Sequence, residues 1–189
     1  MRFILFYIFL ALIAKEARAT PLVCIGDSIT LAPFVEPGEG YCELLGGINR
    51  GVGGETSLQG LSRFKQDVLP HNPKMVIIEF GINDSLKGVS VADYRHALRK
   101  MVRLVKHKKV IIITPNPWFH DYSLNIALTP YVVAAKKVAK QEKVILVDNW
   151  TRFAILSLSK HLSEYYADYI HPNAEGHQAI YLNVLKRIK

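Results

Sequence analysis

The stretch Pro21-Leu22-Val23-Cys24-Ile25-Gly26-Asp27-Ser28 decides how the rest of the chain reads. Five residues from Pro21 to Ile25 form a short apolar run with no polar alternation, the mark of a strand buried on both faces, and the run stops at Gly26. Downstream the alternation continues. Ile48 to Val52 is a second short strand, after a Pro/Gly-rich loop and a short helix over Tyr41 to Leu45. Leu58, Leu61, Phe64, Val68 and Leu69 recur at helical spacing until Pro70. Met75 to Phe80 is apolar apart from Glu79. Val91, Tyr94, Leu98, Met101, Val102 and Val105 mark a helix, and Val110 to Ile113 a fourth strand. Thr129-Pro130 reads as an N-cap with proline at the first helical position, opening a helix that buries Tyr131, Ala134, Ala135 and Val138. Val144 to Val147 is the fifth strand, Trp150 to Tyr169 is irregular, and a last helix after Pro172-Asn173 turns Ile180, Val184 and Ile188 inward. Strands alternating with helices imply parallel crossovers, hence one α/β domain, a three-layer α/β/α sandwich with a five-stranded parallel sheet.

Upstream of Pro21 lies a different kind of segment. Phe3 to Ala14 is an unbroken apolar run of twelve residues, too short for a membrane span of roughly 20. With Arg2 before it and Ala17-Arg18-Ala19 after it, the segment reads as a secretory signal peptide over residues 1–19, with the mature domain spanning 20–189. The protein is therefore expected to be exported, to the periplasm or beyond. Val23 is too bulky a neighbour for Cys24 to serve as a lipidation site. Of 189 residues at net charge +8, the segment takes Arg2, Lys15, Arg18 and Glu16, leaving 170 residues at +6. Half the chain is hydrophobic and there are two cysteines, which excludes disordered, collagen-like and disulfide-stapled classes. Export permits a Cys24–Cys42 disulfide, but both lie in apolar stretches where a buried thiol is the commoner use, so free thiols are expected.

In an open α/β sheet, reacting groups gather beyond the carboxyl ends of the strands. Four polar, Gly-containing clusters fall at such places: Gly26-Asp27-Ser28-Ile29-Thr30, Asn49-Arg50-Gly51-Val52-Gly53-Gly54, Gly81-Ile82-Asn83-Asp84, and Asp168-Tyr169-Ile170-His171-Pro172 before the last helix. Taken singly, each has a plain structural reading: a turn, a helix cap, an exposed ion pair. Together they supply a hydroxyl, a base, an orienting carboxylate and oxyanion donors, the parts of an acyl-transfer site.

Gly26-Asp27-Ser28, Asn49-x-Gly51, Gly81-x-Asn83-Asp84 and Asp168-x-x-His171 resemble blocks I, II, III and V of the SGNH (GDSL) hydrolases, over a stretch from about Pro21 to the C-terminus. Thr56-Ser57-x-x-Gly60-Leu61-x-Arg63, Pro73 to Phe80 and Leu86-Lys87-Gly88 are similar to the compact bacterial arylesterase, lysophospholipase and thioesterase members. The resemblance implies the flavodoxin-like fold of that family and a serine esterase acting through an acyl-enzyme. Ser28 is then the nucleophile, placed where a helix N-terminus stabilises negative charge, His171 the general base and acid, and Asp168 its orienting partner. The backbone amides of Ser28 and Gly51 and the side-chain amide of Asn83 are the implied oxyanion donors, with Gly51 read as the place where substrate approaches backbone. Gly26, Asp27 and Asp84 support the motif, Asp27 by organising its loop and Asp84 by bracing the block-three turn.

The loop Thr114-Pro115-Asn116-Pro117-Trp118-Phe119-His120 departs from those members, so their substrate range does not transfer. The expected reaction is hydrolysis of carboxylic ester or thioester bonds of lipids or small acyl esters. The alternatives are a carbohydrate O-acetylesterase or O-acetyltransferase and, in another class, a non-catalytic binding protein on the same fold. The histidines lack metal-ligand spacing and Gly51-x-Gly53-Gly54 lacks the dinucleotide fingerprint, so no metal and no cofactor is expected. His71, His96, His107, His120, His161 and His177 read as surface or packing residues. Arg99, Lys100, Arg103, Lys106, Lys108 and Lys109 form a solvated helix face without a nucleic-acid motif, so no nucleic-acid partner is expected. Transient contact with an anionic membrane or cell-wall polymer and a monomeric state complete the expectations.

Overall fold

The computed structural model describes residues 21–188; the signal-peptide reading of residues 1–19 lies outside them. Five strands, β1 (Leu22–Gly26), β2 (Ile48–Gly51), β3 (Met75–Glu79), β4 (Lys109–Ile113) and β5 (Ile145–Val147), form one sheet in the order β2-β1-β3-β4-β5. Every pairing is parallel. The eight α-helices of the described residues are α1 (Ser28–Leu31), α2 (Tyr41–Leu44), α3 (Ser57–Asp67), α4 (Ile82–Leu86), α5 (Val91–Leu104), α6 (Tyr122–Glu142), α7 (Asn149–Leu156) and α8 (Ala174–Ile188). Helices α3, α5 and α6 pack side by side on one face, and α2, α8 and α7 on the other. With helices on both faces, the central strands carry unbroken apolar runs: Val23, Cys24, Ile25, Val76, Ile77, Ile78, Ile111 and Ile112 are all buried.

After β1 the chain crosses to β2 on one side, then to β3 on the other. That reversal opens a crevice at the carboxyl ends of β1 and β3, where Gly26 and Glu79 lie side by side in register.

Three expectations change. The fourth crossover helix does not begin at Pro130: α6 starts eight residues earlier, capped by Asp121, whose Oδ1 accepts from the Leu124 amide (2.9 Å), and Pro130 sits inside it. Proline is tolerated there because it faces solvent, and Thr129 Oγ1 donates to the Asn125 carbonyl (2.8 Å) in the turn whose ladder proline interrupts. The segment after Trp150 is not wholly irregular. Asp148 accepts from the Thr151 amide (3.0 Å) and starts α7. Finally, Cys24 and Cys42 are not free thiols: they form a disulfide, with Cα atoms 6.1 Å apart. Each residue sits in the apolar environment its sequence implies, but α2, packed on β2 and α8, brings Cys42 onto Cys24 of the neighbouring strand β1.

Candidate active site

Ser28 is the first residue of α1, directly beyond β1. Asp27 caps this helix, its Oδ1 accepting from the Ile29 amide (2.9 Å). Ala32 closes it in the left-handed conformation (φ 59°) with its N–H on the Ser28 carbonyl. A single turn contributes little macrodipole, so the field expected from a helix N-terminus reduces to local amides; that of Ser28 is among those a helix leaves without an intrahelical acceptor.

The loop before α8 brings the fourth cluster to this serine. Ser28 Oγ lies 2.9 Å from His171 Nε2, and His171 Nδ1 lies 2.7 Å from Asp168 Oδ2. The other oxygen of the carboxylate accepts the Ile170 and His171 amides (2.8 and 2.7 Å). Partial burial pushes the Asp168 carboxyl upward, but these amides and the imidazole outweigh it and hold the group below its ordinary value. With Asp168 ionised, Nδ1 carries the imidazole proton and Nε2 faces the serine as an acceptor. Phe34 covers the ring, its centroid 4.8 Å away.

Residues that sequence reasoning left without a role hold this loop in place. Asn116 Nδ2 donates to the Ile170 carbonyl (3.0 Å) and to Tyr166 Oη (3.2 Å), Tyr166 Oη donates to the Pro117 carbonyl (2.6 Å), and the Phe119 amide donates to the Tyr169 carbonyl (2.7 Å). The signal for them was the departure in residues 114–120, which reads as a substrate feature in the sequence and proves to be a brace. The same segment also shapes a pocket of about 320 Å³ between Trp118, Phe119, His120, Leu124 and Tyr169, next to the catalytic loop. Asn125 clamps the Trp118 backbone at both its amide and its carbonyl (2.8 and 3.0 Å).

Asn83 reaches the crevice from α4. Its N-cap, Gly81, takes φ 138°, a conformation that side chains avoid, and a Cβ there would meet the Pro115 ring. Asn83 Nδ2 donates to Asp27 Oδ2 (3.2 Å), which leaves the second amide hydrogen available. Asp84 turns away from its own turn and accepts from the Ser57 amide and hydroxyl (2.6 Å to Oγ), tying α4 to the start of α3. Burial raises its carboxyl, and the Ser57 bonds offset part of that rise.

Gly51 does not fit the role expected of it. Its amide already donates to Asn49 Oδ1 (2.8 Å). A Cβ at this position would overlap the backbone of Leu31, so the missing side chain makes room for α1 rather than for substrate. Next come Gly53 and Gly54, whose N–H groups have no protein acceptor among the described residues. Gly54 takes φ 75°, and its carbonyl accepts from Lys87 Nζ (2.7 Å), one turn beyond Asn83.

A family model for the GDSL-like lipase/acylhydrolases matches residues 24–179, which include all four clusters. The chain belongs to that family. Among its relatives, esterase TesA of Pseudomonas aeruginosa is 27% identical over 95% of this chain and 93% of its own length. An acetylxylan esterase of Geobacillus stearothermophilus is 24% identical over 92% of this chain and 96% of its own. The solved structure of an alpha/beta hydrolase enzyme from the metagenome of Lake Arreo, Spain, superposes with a TM-score of 0.80 at 26% identity, covering 90% of this chain and 95% of that one. Relatives bearing esterase names and a family of acylhydrolases make this a GDSL-type ester hydrolase with a five-stranded α/β fold.

Proposed function

We propose that the protein hydrolyses carboxylic ester or thioester bonds of lipids or small acyl esters through an acyl-enzyme on Ser28. The observation that carries the reading is the unbroken hydrogen-bond chain from Asp168 through His171 to Ser28 Oγ. His171 Nε2 takes the hydroxyl proton as Oγ attacks the acyl carbon, and Asp168 stabilises the imidazolium. The proton then passes to the leaving alkoxide or thiolate, and the acyl group stays on Oγ. Water repeats the cycle in reverse: it loses a proton to His171, attacks the acyl carbon and releases the acid and the serine. The oxyanion formed in both halves is received by the Ser28 amide and Asn83 Nδ2. The third donor in this reading is the free amide of Gly54, whose tie to Lys87 holds it beside the helix that carries Asn83.

The buried Cys24–Cys42 disulfide supports an exported, periplasmic or secreted protein, since such bonds persist in oxidising compartments. Lys106, Lys108, Lys109 and Lys143, with the Arg103–Glu142 ion pair, line a cleft of about 550 Å³ at the amino ends of β4 and β5, and its excess of lysines supports transient contact with an anionic lipid or cell-wall polymer.

A second reading, removal of acetyl groups from carbohydrate, is favoured by one feature. The Trp118–Tyr169 pocket offers an aromatic wall suited to a ring-bearing alcohol. A panel of p-nitrophenyl esters from acetate to long chains, run beside acetyl-xylan, separates the two. Preference for medium chains supports the first reading, and acetate-only activity the second. Absence of turnover by folded protein, with no fluorophosphonate labelling of Ser28, rejects both and leaves a binding protein.

A further inference from the structure

Beneath the crevice lies a group that the hydrolytic cycle does not use. Glu79, the last residue of β3, is 1% exposed and lies in register with Gly26, the residue before the fully buried Asp27, which makes the two carboxyls hydrogen-bonding neighbours. The other titratable groups around the pair come from three elements: Asp84 on α4, Tyr41 on α2 and Tyr94 on α5. None is a cation. Two contacting carboxylates do not both ionise readily in such a place, so between the first ionisation and the second the pair holds one proton.

Hydrogen bonds decide which partner keeps it. Asp27 has a donor on each oxygen, the Ile29 amide on Oδ1 and Asn83 Nδ2 on Oδ2, and these stabilise its anion. Glu79 Oε2 receives only the long bond from Thr30 Oγ1 (3.3 Å), whose hydroxyl is itself shared with Tyr41 Oη (2.8 Å). Glu79 Oε1 is buried and has no N–H or O–H partner at all. A buried carboxyl with an unpartnered oxygen and a carboxylate neighbour is satisfied when it is a carboxylic acid with a proton to donate. Burial, followed by the Asp27 charge, raises Glu79 well above its ordinary value. Burial lifts Asp27 to about 7, with its amide donor and Glu79 pulling it back, so Asp27 is the member of the pair that ionises first as the pH rises.

We propose that Glu79 is a positioning residue for ester hydrolysis: as the protonated half of a buried acid–carboxylate pair, it keeps Asp27 anionic, and Asp27 orients Asn83 and the turn bearing Ser28. The inference rests on the esterase reading above. An anionic Asp27 only accepts, so it admits only the Nδ2 end of Asn83 and leaves the second N–H for the oxyanion. A neutral Asp27 could donate to Asn83 Oδ1 instead. The amide would then be free to turn over, and an oxyanion donor would be lost.

The test is steady-state kinetics from pH 5 to 9 on wild type, Glu79→Gln and Glu79→Leu. The Gln amide can donate to Asp27 as the acid does, so its kcat should stay within about threefold of wild type. Leu removes the donor and leaves Asp27 to bind the proton itself. At neutral pH its kcat should fall on the order of 10- to 100-fold, less than the loss of a whole oxyanion donor, at little change in KM. The acid limb should move to higher pH, with much of the rate recovered in alkali; a merely structural defect would not be rescued in this way. Equal losses in Gln and Leu, or a Leu variant with the wild-type pH profile, overturn the proposal. Should Glu79→Leu fail to fold, infrared difference spectra of wild type against Glu79→Gln decide. A protonated-carboxyl stretch at neutral pH, absent from the Gln variant, supports the pair, and its absence from wild type overturns it. Wild type inactive on every ester would instead sink the esterase reading, whereas the infrared result tests the shared proton independently.

Discussion

Asp168→Asn is nearly isosteric, yet the loop geometry makes it a severe change. One carboxylate oxygen is committed to the Ile170 and His171 amides at 2.8 and 2.7 Å, and the other to His171 Nδ1 at 2.7 Å. In the variant, only the carbonyl oxygen can face the two backbone donors; the opposite rotamer would oppose an NH₂ group to two N–H groups. The amide nitrogen is therefore forced against Nδ1, which must then be the acceptor, and the imidazole proton moves to Nε2. There it faces Ser28 Oγ, 2.9 Å away, and cannot take its proton. A wrong tautomer of this kind lowers kcat on the order of 10⁴-fold, about 5 kcal/mol of transition-state stabilisation, with KM nearly unchanged. Asp168→Ala removes the orienting group without imposing a tautomer, so it should lose no more than Asn does. The assay is p-nitrophenyl ester turnover by both variants, with melting curves to verify folding. An Asn variant keeping more than about a tenth of wild-type kcat, or an Ala variant far worse than Asn, would refute the tautomer argument.

Four further outcomes are expected. Asn83→Ala should lower kcat on the order of 10² to 10³-fold; an effect on KM alone, in the same ester assay, contradicts the oxyanion role. The Cys24–Cys42 link closes a loop with a sequence separation of 18, for which the loop-entropy relation predicts about 3 kcal/mol of stability; urea unfolding of oxidised and reduced protein should show a matching fall in midpoint. His177 is buried and its pKa is lowered to about 4 from 6.5, by burial first and then by the His171 charge. Between those values the unfolded chain binds a proton that the folded one refuses, so this residue costs stability as pH falls, up to about 3 kcal/mol. The buried acids Asp27 and Glu79, with raised values, act in the opposite direction across part of that window. The clean readout is therefore His177→Leu against wild type, whose relative melting temperature should rise from pH 7 to pH 5; no change would count against a neutral buried imidazole. Sedimentation with vesicles of increasing anionic lipid content tests the basic cleft, and a Lys106→Glu/Lys143→Glu variant should bind less; binding indifferent to lipid charge removes that proposal.

Periodicity located the three central strands β1, β3 and β4 because they are buried on both faces and carry apolar runs, whereas the edge strands β2 and β5 are partly exposed and were marked by their apolar residues and the turns around them. It failed where a local rule competed with tertiary context. Thr129-Pro130 is a good helix start in isolation, but Asp121 offers a cap eight residues earlier, and a solvent-facing proline does not break the helix begun there. The four clusters named the reacting groups through their order and residue types. Spacing carried no information on Gly51, because the neighbour that needs its missing side chain, α1, is adjacent only in space.

Local chemistry written along the chain thus determined the strand and helix pattern, the parallel α/β class, the family and the three groups that form the hydrogen-bonded chain at Ser28. Only the folded structure decided that Cys24 and Cys42 are bonded, that the Gly51 amide is already taken, that Asn116 and Tyr166 brace the histidine loop, and that Glu79 meets Asp27 beneath the serine. The first set is read from local periodicity and from the residue types of four short clusters taken in their order along the chain. The second depends on pairs such as Asp27 with Glu79 or Asn116 with Ile170, far apart in the chain and joined only when parallel crossovers bring the strand ends to one crevice.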